Sequence, residues 1–130
     1  RGFRDIREIG RQIRSRLYDV HLQKPAPLVE RRFSLEVTER LDHEGRVLQP
    51  LDLDEVRRAA RQLREEGVDA VVVCLLHSYL NPAHERAVAA VVREELPAAY
   101  LSVSSEVCPE YREYLRASTT AVNAAVMPIV

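Results

Sequence analysis

Between residues 32 and 41 the chain alternates. Phe33, Leu35, Val37 and Leu41 share one parity, while Arg32, Ser34, Glu36, Thr38 and Arg40 take the other. A period of two predicts a strand with one buried and one solvated face. Glu39 breaks the apolar parity near its end. Asp42-His43-Glu44-Gly45 supplies turn residues, and Val47-Leu48 reads as a return strand stopped by Pro50. Residues 32–51 therefore predict a β-hairpin. The period then changes. Asp52 is placed to cap a helix, with Glu55 three residues on as in a capping box. Val56, Ala59, Ala60 and Leu63 form its apolar face, and Gly67 is a natural stop. Val68 to Leu76 is a continuous apolar run, which predicts a strand buried on both faces in a helix-covered parallel sheet. Asn81 and Pro82 predict the start of a helix whose buried face holds Ala87, Val88, Val91 and Val92, and Tyr100 to Val103 predicts the next strand.

The flanks are less regular. Phe3, Ile6, Ile9 and Ile13 lie near helical spacing, and Gly10 predicts a short helix ending there. Residues 14–31 hold Pro25 and Pro27 and read as a linker, with Leu17 and Tyr18 as anchors. Pro109 can open a last helix at N1, with Tyr111, Leu115, Ser118, Val122 and Ala125 at helical spacing. Pro128 closes it, and an extended segment is expected from Pro128-Ile129-Val130. The fold class expected is α/β: one domain over 1–130, with a small mixed sheet, a hairpin at 32–51, and βαβ units with flanking helices in 52–130.

Composition narrows the options. With 130 residues, 46% hydrophobic, the chain can bury one real core. Nineteen basic against twenty acidic residues give a net charge of −1, so no global field attracts nucleic acid or an anionic membrane. No apolar run approaches the ~20 residues of a membrane span. Cys74 lies in an apolar run and is expected to be a buried free thiol, which fits a cytoplasmic setting. The chain lacks an initiating Met and reads as a piece of a longer polypeptide.

Three stretches can carry chemistry. His77-Ser78-Tyr79-Leu80-Asn81-Pro82-Ala83-His84-Glu85 lies at the carboxyl end of a buried strand, where ligands bind in open α/β sheets. His77, His84 and Glu85 are candidate metal ligands there. The bland alternative is that His84 and Glu85 complete a helix cap and His77 bonds loop backbone. Ser104-Ser105-Glu106, directly after the next strand, can meet a ligand, with Ser105 and Glu106 as cleft-lining candidates, or simply cap a helix. Arg116, Thr119, Thr120 and Asn123 belong to a hydroxyl- and amide-bearing helix that propensity disfavours, kept for a site or for close packing. There is no G-x-x-x-x-G-K-[ST] or G-x-G-x-x-G loop, and so no nucleotide-binding residues of that kind.

Taken in order, these residues resemble a known family. Gly2-Phe3-Arg4-Asp5, Glu8-Ile9-Gly10-Arg11-Gln12, Leu17-Tyr18-Asp19, Lys24-Pro25, Pro27-Leu28-Val29 and Glu39-Arg40 are similar to the hydantoinase A/5-oxoprolinase family. So are Ala70 to Leu76 with His77-Ser78-Tyr79, Asn81-Pro82 and His84-Glu85, then Ser104-Ser105-Glu106 and Glu113 to Arg116 with Ser118-Thr119-Thr120 and Asn123-Ala124. The resemblance implies an ATP-dependent subunit that phosphorylates an amide or carbonyl oxygen, using ATP and a divalent metal (Mg, Mn or Zn). It also implies part of an actin-like/sugar-kinase (ribonuclease H-like) ATPase N-terminal region. The family's D-x-G-G-T phosphate loop and H-G-T-T segment are not in this chain. The expectation is a fragment of a cyclic-amide hydrolase, inactive alone, that lines a substrate or interdomain cleft. Its partners would be the rest of its own polypeptide, a hydantoinase B-type subunit and a small cyclic amide such as a hydantoin or oxoproline. A non-catalytic assembly or partner-binding module is the alternative.

Overall fold

The computed structural model describes residues 2–13 and 15–129. Its elements in chain order are helix α1 (Ile6–Ile9), strands β1 (Arg40–Leu41) and β2 (Val47–Gln49), helix α2 (Leu53–Glu65), strand β3 (Ala70–Val73), helix α3 (Ala83–Glu95), strand β4 (Tyr100–Val103), and helices α4 (Ser104–Val107) and α5 (Glu113–Val126). The class is α/β. The hairpin β1–β2 is antiparallel and forms its own sheet, while β3 and β4 form a separate parallel pair, so the single mixed sheet expected from the sequence is two.

The expected strand over 32–41 starts as a 3-10 turn over Arg31–Phe33 and enters a ladder only at Arg40–Leu41. One reason is local. The Thr38 carbonyl accepts from Asp52 N–H at 3.0 Å, and the Thr38 N–H donates to Glu55 Oε2 at 2.5 Å. The N-terminus of α2 thus takes both backbone groups of Thr38. Asp52 caps α2 as expected by accepting from Glu55 N–H at 2.9 Å, but Glu55 spends its carboxylate on Thr38.

The hairpin turn is held by one side chain. Asp42 Oδ1 accepts from Glu44 N–H and Arg46 N–H at 2.9 and 2.8 Å, and Oδ2 accepts from Arg46 Nε at 2.9 Å. The Arg46 side chain and these N–H groups hold the Asp42 carboxyl down at about 2. A carboxyl lowered in the folded state stabilises it above the unfolded value near 3.8, and that contribution disappears as pH falls through about 2. The Arg46 amide chemical shift should therefore move across that acidic window, and Asp42→Asn should flatten the titration.

The core lies on one face of β3–β4. Val71 and Val73 pack with Val56 and Ala60 of α2 and with Val88, Val91, Val92 and Leu96 of α3. Burial on both faces of β3 was expected. Instead Ala70 and Val72 are only half-buried, and they line a cleft on the opposite face.

That opposite face is covered by α5, whose inward stripe is not the bulky series at helical spacing. Ala117, Ala121 and Ala124 face inward with Arg116 and Thr120, while Tyr111, Leu115 and Val122 are exposed. Asn123 Nδ2 donates to Ser102 Oγ at 2.9 Å, which fixes the rotation. Pro109 does not open this helix, because Ser104–Val107 form α4 first and α5 starts at Glu113. The extended segment expected from Pro128 is a 3-10 turn over Met127–Ile129, and Val130 lies outside the described residues.

At the amino-terminal side, α1 ends at Gly10 as expected. Leu17 and Tyr18 are 63% and 93% exposed, so neither anchors the linker. Lys24 Nζ, donating to the Glu8 carbonyl at 2.6 Å, and Arg31, paired with Asp5 at 2.6 Å, tie it instead. No helix among the described residues is long and apolar enough to cross a membrane.

Candidate functional site

The carboxyl ends of β3 and β4 lie side by side because Val73 is in register with Val103. Beyond β3 the chain turns sharply at His77, whose φ is +58. Its carbonyl accepts from Leu80 and Asn81 N–H at 3.0 and 3.2 Å. A non-glycine residue in the left-handed region costs of order 1 kcal/mol and persists where surrounding contacts impose it. Asn81 Oδ1 then accepts from Ala83 N–H at 3.1 Å and starts α3. Asn81 Nδ2 donates to the Gly45 carbonyl at 2.8 Å, seating the hairpin tip on this loop. A Cβ at Gly45 would lie 3.3 Å from Asn81 Cβ and 3.4 Å from Leu80 Cβ, and φ there is +79.

His84 and Glu85, adjacent in the first turn of α3, face different partners. Glu85 is fully buried beneath the strand ends. Its Oε1 accepts from Leu75 N–H at 2.7 Å and Ser104 Oγ at 2.6 Å, and its Oε2 from Ser105 N–H at 2.9 Å. Arg116 reaches the same serine from α5. It is also fully buried. Its Nε donates to Ser104 Oγ at 3.1 Å, and its two terminal nitrogens donate to the Glu110 and Leu75 carbonyls at 2.7 Å each. Its guanidinium carbon stands 5.6 Å from the Tyr79 ring centre. Ser78 Oγ lies 3.3 Å from Ser104 Oγ. A buried carboxylate and a buried guanidinium are thus joined through one hydroxyl, which satisfies the demand for compensation of buried charge. Cys74 lies beside this group. It is half-buried, and desolvation pushes its thiol above the ordinary range.

His84 Nδ1 lies 2.9 Å from Glu39 Oε2, with Glu39 only 5% exposed. A carboxylate only accepts, so the His84 proton sits on Nδ1. Glu39, the residue that breaks the strand parity, is buried for this partner. Truncating His84 leaves that carboxylate without its donor. His84→Ala should cost about 1.5–3 kcal/mol, with part restored by His84→Gln. Thermal unfolding of both variants checks it.

The proposed metal trio is not assembled. Glu85 is fully engaged by serines and backbone, His84 by Glu39, and among the described residues no group of three His, Cys, Asp or Glu can hold an ion. Of the other candidates, Arg116 joins the network. Glu106 and Thr119 are exposed, Thr120 Oγ1 bonds back to the Arg116 carbonyl at 2.7 Å, and Asn123 serves the contact with Ser102. Two polar atoms remain buried without partners at the strand ends: His77 Nδ1 and Ser105 Oγ. They flank, in sequence, the Ser78–Ser104 contact. Ser78 and Ser104 lie inside the candidate stretches named from the sequence, whereas Glu39 was not among the candidates. A carboxylate on an apolar parity was the available signal for it.

Comparison with known proteins sets this geometry in a lineage. The chain is 41% identical to an uncharacterized protein of Methanocaldococcus jannaschii over all of its own length and 19% of the other's. It is 38% identical to the acetophenone carboxylase gamma subunit of Aromatoleum aromaticum over 88% of this chain and 16% of that subunit. The crystal structure of the ATP-dependent caprolactamase from Pseudomonas jessenii superposes with a TM-score of 0.89 at 35% identity, covering 98% of this chain and 19% of that one. The chain therefore spans about a fifth of the length of these relatives. Residues 1–96 match the model of the hydantoinase/oxoprolinase N-terminal region, and the chain belongs to that family.

Proposed function

We propose that this chain forms one wall of the substrate cleft in an ATP-dependent hydrolase acting on a small cyclic amide, such as a hydantoin or oxoproline. The observation that supports the reading most directly is the pair of buried, unpartnered atoms, His77 Nδ1 and Ser105 Oγ, at the carboxyl ends of adjacent parallel strands. Unsatisfied buried polar groups cost about 1–3 kcal/mol each and are retained where a ligand completes them. An amide ring offers both a donor and an acceptor of the kind they lack. The Glu85–Ser104–Arg116 network acts as the rigid support that holds this edge in place.

The nucleotide is handled elsewhere in the parent polypeptide. The D-x-G-G-T phosphate loop that the family resemblance implies does not stand among these residues. ATP and its divalent metal belong to the parent enzyme, and the chain alone supports no ATP turnover. In the full-length enzyme, His77→Ala and Ser105→Ala should each lower kcat/KM for the cyclic amide by about 10- to 100-fold while leaving the KM for ATP unchanged. Unaltered amide kinetics in both variants would refute the assignment.

A second reading, an assembly module for a B-type partner subunit, is favoured by one observation. Ile9, Ile13, Leu17, Tyr18, Val20 and Leu28 are all exposed along one segment. Charged substitutions at Ile13 and Leu17 would then dissociate the complex without changing kcat of the assembled fraction.

A further inference from the structure

His77 combines two features that seldom meet. Its backbone sits in the left-handed region at φ +58, and its Nδ1 is buried without a partner. A residue with a Cβ adopts that region where neighbouring contacts impose it. The unpartnered Nδ1 supplies no such contact, so the constraint comes from the rest of the loop.

Leu80 and Asn81 close that loop, since both of their N–H groups donate to the His77 carbonyl. Asn81 is fixed in turn by two side-chain bonds of very different reach. Its Oδ1 accepts from Ala83 N–H at 3.1 Å, two residues on, and its Nδ2 donates to the Gly45 carbonyl at 2.8 Å, 36 residues away. The first bond belongs to the start of α3. The second seats the tip of the β1–β2 hairpin on the loop. The seat is tight: a Cβ on Gly45 would meet the Cβ atoms of Asn81 and Leu80, the same two residues that close on His77, at 3.3 and 3.4 Å.

The hairpin serves this contact more than it serves the core. It forms a sheet of its own, and all three residues of β2 are exposed. A lone two-stranded hairpin is marginal in water. Here Asp42 stiffens the tip by accepting from the Glu44 and Arg46 N–H groups, and the Glu39–His84 contact at 2.9 Å ties the base to α3. Base and tip are thus both fastened to residues of the 77–84 segment.

We infer that Asn81 is a positioning residue: seated on the hairpin tip at Gly45, it holds the His77 turn so that Nδ1 meets the ring amide of a bound cyclic amide. The inference rests on the substrate-cleft reading above and adds to it the element that sets His77. Asn81 touches no substrate atom and acts through His77.

Kinetics of the full-length enzyme test it, with hydantoin and 5-oxoproline as the assayed substrates. Asn81→Asp keeps an oxygen for the Ala83 N–H but turns an acceptor, in place of a donor, toward the Gly45 carbonyl. It should lower kcat/KM for the cyclic amide by about 10-fold and leave the KM for ATP unchanged. In a His77→Ala background the same substitution should cost less than about 2-fold, because the residue it acts through is gone. Gly45→Ala leaves Asn81 intact and disturbs the seat from the hairpin side. It should repeat the pattern, and it decides the matter if Asn81→Asp does not fold. Equal losses in both backgrounds would mean a general loosening of the loop and would overturn the proposal. So would unchanged kinetics in Asn81→Asp and Gly45→Ala beside an impaired His77→Ala, a result that leaves the cleft reading standing. An unimpaired His77→Ala would remove the cleft reading and this inference with it.

Discussion

Replacing Arg116 by methionine is expected to destabilise this region by about 3–5 kcal/mol, because it removes one member of a compensated buried charge pair. Arg116 has no solvent exposure and spends its donors on Ser104 Oγ and the Glu110 and Leu75 carbonyls. Methionine fills similar volume, so the loss is electrostatic and not a cavity. Three acceptors lose a donor, and Glu85 remains buried with no cation nearby. Arg116→Lys keeps the charge but cannot span three acceptors in one plane, so it should recover less than half of the loss. The urea midpoint at which Cys74 becomes open to thiol labelling, read on the Cys74 peptide, reports this region without interference from other domains. An unchanged midpoint for Arg116→Met would show that the guanidinium is not the keystone of the strand ends. The same substitution also removes a cation that now draws the Cys74 thiol downward, so that thiol should titrate still higher in the variant.

The network around Arg116 also marks how far the sequence could be read. Helix α2, strand β3, helix α3 and strand β4 follow from apolar periodicity and from Asp52, Gly67, Asn81 and Pro82, since each signal is local. The rotation of α5 does not. Periodicity favours the bulky Tyr111, Leu115 and Val122, whereas the buried stripe is made of alanines with Arg116 and Thr120. Small residues carry little hydropathy, and a buried arginine looks like a surface one until its acceptors after β3, on α4 and before α5 are placed in space. Glu39 was visible as an anomaly, but its partner His84 stands 45 residues away. The shortened β1 has a similar cause. The alternation of 32–41 is genuine, but a strand needs an edge to pair with, and α2 takes both backbone groups of Thr38. His77, Ser105 and Arg116 were legible as candidates because they follow strand ends or offend helix propensity. Ser78 and Ser104 stood in the same candidate stretches, but their contact with each other was not legible, as it depends on the close approach of β3 and β4.

Glu85→Gln should cost about 2–4 kcal/mol, although the side chain changes by only one atom. The carboxylate now accepts from three donors: Leu75 N–H, Ser104 Oγ and Ser105 N–H. An amide has one oxygen and one NH₂ group. With its oxygen toward Leu75 and Ser104, the NH₂ group meets the Ser105 N–H donor to donor. Flipped, it faces two donors instead of one. Either way a buried N–H is orphaned, and Arg116 loses its compensating charge. Combining Glu85→Gln with Arg116→Met separates these effects. If charge compensation across Ser104 dominates, the double variant should be more stable than the sum of the singles by about 1–2 kcal/mol, since neither charge is left alone. If the individual hydrogen bonds dominate, the losses should add. The pairing also bears on turnover. Ser105 receives its orientation from Glu85 Oε2, so Glu85→Gln should lower kcat/KM for the cyclic amide in the full-length enzyme even at temperatures where the fold persists. Additive stabilities together with wild-type kinetics would reduce the network to packing alone.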